Sequence, residues 1–140
     1  MAESNGKPDD FPDTESFRDC CGNLRTFDLD LNVTEGGYFL RATEQSRGDG
    51  GYRVAAHSET SPYLALGALR AKIRKYLSVR YLTEEYGRKA LSHGTALGFI
   101  SYGGLIIDGD FIPFEEFVDI LQTYEGWELS LNILSGFDKA

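Results

Sequence analysis

Apolar and polar residues alternate from Leu24 to Val33. Arg25, Phe27, Leu29, Leu31 and Val33 fall on one side, and Leu24, Thr26, Asp28 and Asp30 on the other. A period of two sends successive side chains to opposite faces, so this run predicts a half-buried strand. Thr34-Glu35-Gly36-Gly37 supplies glycines for a tight turn, and Tyr38–Thr43 returns as a second strand. Turn residues cluster again from Ser46 to Gly51, and Tyr52–Ala56 reads as a third strand. Three strands joined by short loops make an antiparallel meander.

The period then lengthens. Glu59-Thr60-Ser61-Pro62 is a helix start, because a hydroxyl caps free amides and proline suits the first turn. Leu66, Leu69, Ile73, Tyr76 and Leu77 recur at three- and four-residue spacing, which predicts a helix over 62–82 with that stripe inward. Arg70, Lys72, Arg74, Lys75 and Arg80 occupy most of the remainder. Thr83–His93 follows neither period, and a helical turn around Glu84–Arg88 is the expectation there, with a break near Gly94.

The last third repeats the theme. Ala96–Ser101 and Leu105–Ile107 read as strands, and Asp108-Gly109 as a hairpin connection before Phe111. A helix follows over Pro113–Tyr124 with Phe114, Phe117, Val118 and Leu121 on one face, and Gly126 is placed to end it in a left-handed conformation. Trp127–Ile133 alternates cleanly as a final strand. The order βββα then ββαβ is an α+β fold, with two helices packed on a mostly antiparallel sheet. Residues 1–20 are polar, acidic and without period, and read as a disordered leader. Residues 21–140 then form a single domain, with a βββα half over 21–90 and a ββαβ half over 91–135.

A chain of 140 residues holds one core, and 41% hydrophobic residues suffice to build it without disulfides or a metal. The formal net charge of −8 disfavours a nonspecific grip on nucleic-acid phosphates. The charge is uneven, however: residues 61–90 carry +5 and residues 91–140 carry −7. No apolar run reaches the roughly 18 residues of a membrane span, and the start lacks the basic-then-apolar order of a secretory signal. Adjacent Cys20 and Cys21 make a strained disulfide, so a reduced, cytoplasmic protein without membrane contact is expected.

Catalytic and metal patterns fit poorly. The stretch around Asp108-Gly109-Asp110 resembles a calcium loop, but an EF-hand needs oxygen ligands at positions 1, 3, 5, 9 and 12 with glycine at 6. With Glu116 or Glu115 at position 12, positions 1 and 3 fall on Leu105 and Ile107 or on Gly104 and Ile106, which offer no side-chain oxygen. His57, His93, Cys20 and Cys21 lack zinc-ligand spacing, and Cys20 adjoins the leader, where a nucleophile is hard to preorganise. No nucleophile elbow, dinucleotide fingerprint or phosphate loop occurs, and no cofactor is expected. The carboxylates of Asp108, Asp110, Glu115, Glu116 and Asp119 are dense enough for acid–base work. Glu115, Glu116 and Asp119 also suit the positive end of a helix, which is the simpler role.

Residues 27–77, with Glu35-Gly36-Gly37, Glu59-Thr60 and Leu66-Gly67-Ala68-Leu69, resemble the N-terminal domain of HicB-type antitoxins of bacteria. The resemblance implies a βββα unit that binds a partner protein and does not catalyse. Two departures limit it. The loop before the third strand lacks the family's proline-rich turn, and a ββαβ unit stands where that family commonly carries a DNA-binding module. An arrangement of strands carries over, and no functional residue does.

The expected function is a small non-enzymatic interaction module of antitoxin or immunity type. Its candidate contacts are Arg70, Lys72, Arg74, Lys75 and Arg80 on the basic helix and Asp108, Asp110, Glu115 and Glu116 on the acidic side. The partner is another protein or a second copy, joined through these opposite charges. The alternatives are nucleic-acid binding through the basic helix and an enzyme using the 108–119 carboxylates.

Overall fold

A computed structural model describes residues 7–45, 48, 50–135 and 137. The α+β class holds, with antiparallel strands and two helices. The strands form three separate sheets instead of one: a four-stranded sheet in the order β1-β2-β3-β4, a β5-β6 hairpin, and a three-stranded β7-β8-β9 sheet.

The first sheet comprises β1 (Thr14–Arg18), β2 (Leu24–Thr34), β3 (Gly37–Glu44) and β4 (Arg53–Ser58). Opposite residues in an antiparallel pair share a face. Phe27 opposes Glu44, Leu29 opposes Ala42 and Leu31 opposes Leu40, which keeps the predicted apolar side of β2 together. Helix α1 (Pro62–Leu77) covers that face. Ser61 caps it by accepting from the amides of Tyr63 and Leu64. Leu66, Leu69, Ile73 and Leu77 of the predicted stripe are buried, together with Ala65, while Tyr76 packs at the edge of the same core.

Within the described residues, the acidic start is part of the fold, which corrects the expected leader. Glu15 and Phe17 of β1 lie opposite Phe27 and Arg25, and Phe11 is buried beneath α1. The period of two in Thr14–Arg18 was hidden by charge: Glu15 takes an inward position because Arg70 meets it there in a bidentate pair. Residues 1–6 of that expected leader lie outside the described residues, as do 46, 47 and 49 of the Ser46–Gly51 loop.

Helix α1 ends at Leu77 with Ser78 as its C-cap, five residues before the expected end. The chain then enters β5 (Leu82–Glu85), which pairs with β6 (Arg88–Leu91) where a helical turn was expected. Tyr86 and Gly87 both have positive φ, the geometry of a two-residue hairpin turn. A second tight hairpin joins β7 (Gly98–Ser101) to β8 (Gly104–Ile107), and Asp108-Gly109 joins β8 to β9 (Asp110–Pro113) as predicted. Helix α2 (Phe114–Gln122) rests on this sheet mainly through Ile120, with Phe117 beside it. Phe114 and Val118 of the predicted inner face are 47% and 49% exposed, because the small sheet cannot cover a whole helix face.

The predicted final strand does not form. Trp127–Ile133 pairs with none of the three sheets, and its alternating apolar side chains face solvent. Among the described residues no helix is long and apolar enough to cross a membrane.

Candidate functional site

The charged positions singled out in the sequence are mostly engaged within the chain. Arg70 holds Glu15 of β1. Lys72 donates to the Ala55 carbonyl at 2.8 Å, and the Arg74 guanidinium lies 5.5 Å from the Phe17 ring centre. Arg80 stands 3.6 Å from Asp110, and Glu116 is paired with Lys89 at 3.4 Å. Lys75 and Glu115 point to solvent. The basic and acidic groups therefore bind β1, β4, β6 and the β8–β9 turn to their neighbours more than they line one surface. Within the 108–119 run, Asp108 and Asp110 share Arg80 at 4.0 and 3.6 Å, and Glu116 is paired with Lys89.

Asp108 has the clearest structural role. At φ 58° it occupies the left-handed region that a short polar residue tolerates. Its buried carboxylate accepts from the amides of Tyr81 at 3.0 Å and Leu82 at 2.8 Å. Those bonds draw residues 79–81 away from helical geometry, which explains the early end of α1. Gly109 completes the latch: its carbonyl accepts from Gly51 at 2.7 Å, and a side chain there would meet Arg25 and the Tyr52 ring. The turn that resembles a calcium loop is thus the joint between the two halves of the chain.

Beside it lies a charged group that the sequence reading missed. Arg25 donates to Asp19 at 3.0 Å and to Glu44 at 3.1 Å, and all three side chains are nearly buried. A buried charge is tolerated when it is paired and hydrogen-bonded. Burial pushes the Asp19 carboxyl up, but the amides of Asn23 and Cys21 and the Arg25 guanidinium together hold it below its ordinary value. Burial works against the Arg25 charge, yet the hydrogen bonds it donates to Glu44 and Asp19 raise its pKa. Tyr52, buried and close to the Asp108 charge, is raised well above the usual phenol. The sequence signal was Arg25 falling in phase with Phe27 and Leu29, a charge on the buried side of a strand.

The cleft between these groups, lined by Asp19, Cys20, Arg25, Tyr52, Arg80 and Asp108, has about 30 Å3. That is room for a water or two and far below a metabolite site. Cys20 and Cys21 have sulfurs 3.9 Å apart without a disulfide. Burial, and then the neighbouring Cys21 thiol, push the Cys20 thiol up, which opposes nucleophilic chemistry. His57 is engaged, donating to the Gly36 carbonyl at 2.7 Å and stacking on Phe39 at 4.3 Å.

Among the described residues, the longest run of exposed large apolar side chains is in the C-terminal segment. Trp127, Leu129, Leu131 and Ile133 are 69–73% exposed, and Leu134 is 64% exposed. The segment is tethered at both ends. The Trp127 amide donates to the Tyr124 carbonyl at 2.9 Å, and Phe137 packs edge-on against Phe39 with Arg41 over its ring. Among the described residues, no backbone hydrogen bond joins residues 128–134 to the rest of the chain.

Comparison with protein families divides the chain at the same joint. One family model matches residues 9–78, which span β1 to the end of α1. The chain belongs to the family described as Domain of unknown function (DUF7686). A second model, Domain of unknown function (DUF7713), matches residues 83–138. The DUF7686 unit thus holds the four-stranded sheet and α1, and the DUF7713 match begins just past the amides that Asp108 holds. No curated protein and no solved structure matches the chain.

Proposed function

We propose that this chain is a non-enzymatic interaction module that binds protein through its C-terminal segment 127–134. One observation carries the reading: a sequence with strand periodicity is tethered and unpaired, with five large apolar side chains in solvent. Exposed strands of this kind are completed by pairing with another chain, whose backbone satisfies the free N–H and C=O groups while its side chains cover the apolar row. This places the contact away from the basic helix and keeps the class of partner, a protein, that the HicB-like resemblance implied. Nucleic-acid binding has weaker support, because Arg70, Lys72, Arg74 and Arg80 already serve internal contacts.

The test is a comparison of complexes formed by the full chain, by Leu129→Ser/Leu131→Ser and by Lys75→Glu, followed by light scattering and mass spectrometry of cross-linked material. Binding to protein, whether another copy or a different chain, is expected to vanish in the tail variant and persist in Lys75→Glu. Binding that survives in the tail variant rejects the proposal. Retention on RNA or DNA that falls with salt and is lost in Lys75→Glu supports the basic-helix alternative instead.

A further inference from the structure

We infer that the partner of the C-terminal segment is a second copy of the same segment, paired antiparallel about a two-fold axis at Ser130. The inference rests on the reading of 127–134 as the docking element and adds the identity and register of what docks there.

The first argument is self-complementarity. Trp127-Glu128-Leu129-Ser130-Leu131-Asn132-Ile133 is close to a palindrome of chemical types around Ser130. In an antiparallel pair, directly opposite residues lie on one face with Cβ atoms about 5 Å apart. With Ser130 opposite its own copy, Leu129 opposes Leu131 and Trp127 opposes Ile133, so the apolar residues of both strands share a face. On the other face Glu128 opposes Asn132. No two carboxylates meet, although each copy carries a net charge of −8. A shift of one residue sets Leu129 against Asn132 and Glu128 against Ile133. The side chains therefore favour the register centred on Ser130 over a one-residue slip, and the two-fold axis makes the contact isologous.

The second argument is area. The five apolar side chains are 64–73% exposed. Trp127, Leu129, Leu131 and Ile133 lie on the shared face and Leu134 on the other. Covering roughly 100 Å2 on each of the four buries on the order of 800 Å2 across two copies, the area of a small, reversible contact. Phe114 and Val118, half exposed one turn apart on the preceding helix, add apolar surface close by in the chain. The tethers at Trp127 and Phe137 reduce the ordering cost, because both ends of the segment are already held before it binds.

This contact also differs from the pairing of basic helix with acidic C-terminal third expected from charge. An apolar strand pair between two acidic copies persists or tightens as salt screens their repulsion, whereas a pairing of opposite charges weakens.

The decisive experiment is cysteine cross-linking of the full chain in a Cys20→Ser/Cys21→Ser background, with light scattering in parallel. Ser130→Cys is expected to form a covalent dimer on mild oxidation at both low and roughly 1 M salt, where the Debye length is about 3 Å. Glu128→Cys alone and Asn132→Cys alone are expected to stay uncoupled, since each lies roughly 13 Å from its own copy across the axis. Mixed together, those two variants are expected to cross-link to each other. A dimer that couples Glu128→Cys or Asn132→Cys to itself as readily as Ser130→Cys overturns the register. A chain that stays monomeric at every concentration overturns the inference. If that monomer still binds another protein through the tail, the broader reading survives; if it binds nothing through the tail, both fall.

Discussion

The two halves of the molecule handle the same kind of hydrophobic pattern in different ways. In residues 9–78 the main apolar strand face finds cover: β2 and β3 turn theirs to α1, and even Glu15, Arg25 and Glu44 on that face meet charged partners. In residues 82–134 the core is small, with Leu82, Ile107, Ile112 and Ile120 fully buried, and an equally regular pattern over 127–133 is left in water. Alternation encodes what a segment needs, namely a flat partner on one edge and cover on one face. Whether that partner lies in the same chain depends on the edges and helices available. The first half has a sixteen-residue helix over its sheet, and the second has nine residues of helix over four-residue strands.

This contrast can be tested from its strongest point downward. Arg25→Ala should cost about 3–5 kcal/mol in urea unfolding, because it leaves Asp19 and Glu44 buried without their cation. A loss below 1 kcal/mol would show that water replaces the guanidinium and that the first half is less closed than described. Asp108→Ala should cost about 1–3 kcal/mol by freeing the Tyr81 and Leu82 amides, with Asp108→Asn costing less. Faster amide exchange at residues 81 and 82 would accompany the loss, and unchanged exchange there would remove Asp108 from the joint.

Acid should act on the first half through Asp19. Its folded pKa lies below the ordinary 3.8, so its contribution is present above about pH 3.8 and is lost as pH falls through the folded value. The stability gap between the wild type and Asp19→Asn should therefore be widest near neutral pH and shrink below pH 3.8. A gap independent of pH would contradict the ion pair. The smallest effect is expected in the tail: Leu129→Ser/Leu131→Ser should change the unfolding free energy of the dilute monomer by less than about 0.5 kcal/mol. A larger loss would place those leucines in an intrachain core.

Much of the first half was legible because its signals are local. The β2 alternation, the Gly36-Gly37 turn and the Leu66–Leu77 stripe each carry their own period, and the structure keeps all three. Strand β1 was not legible, since Glu15 on an inward position looks like a solvated charge until Arg70 arrives from 55 residues away. The end of α1 was misplaced for a similar reason: the Asp108 carboxylate that redirects the chain comes from 26 residues beyond Leu82. The β5–β6 hairpin was missed because its strands are four residues long and charged, and Gly87 was its main local sign. The candidate contacts were chosen by charge, and charge is what the fold uses internally. The uncovered row at 127–134 was visible as an alternation, but none of the three sheets takes it up, which the alternation alone does not reveal.

The central claim is that residues 127–134 form a strand completed by a second copy, and backbone amide exchange tests it most directly. In an antiparallel pair only every second amide points at the partner strand. At concentrations where light scattering shows a dimer, alternate amides across residues 128–133 should exchange slowly. On dilution to the monomer, all of them should exchange at the rate of an open chain. Free exchange at every concentration, or protection that dilution does not remove, would contradict the account.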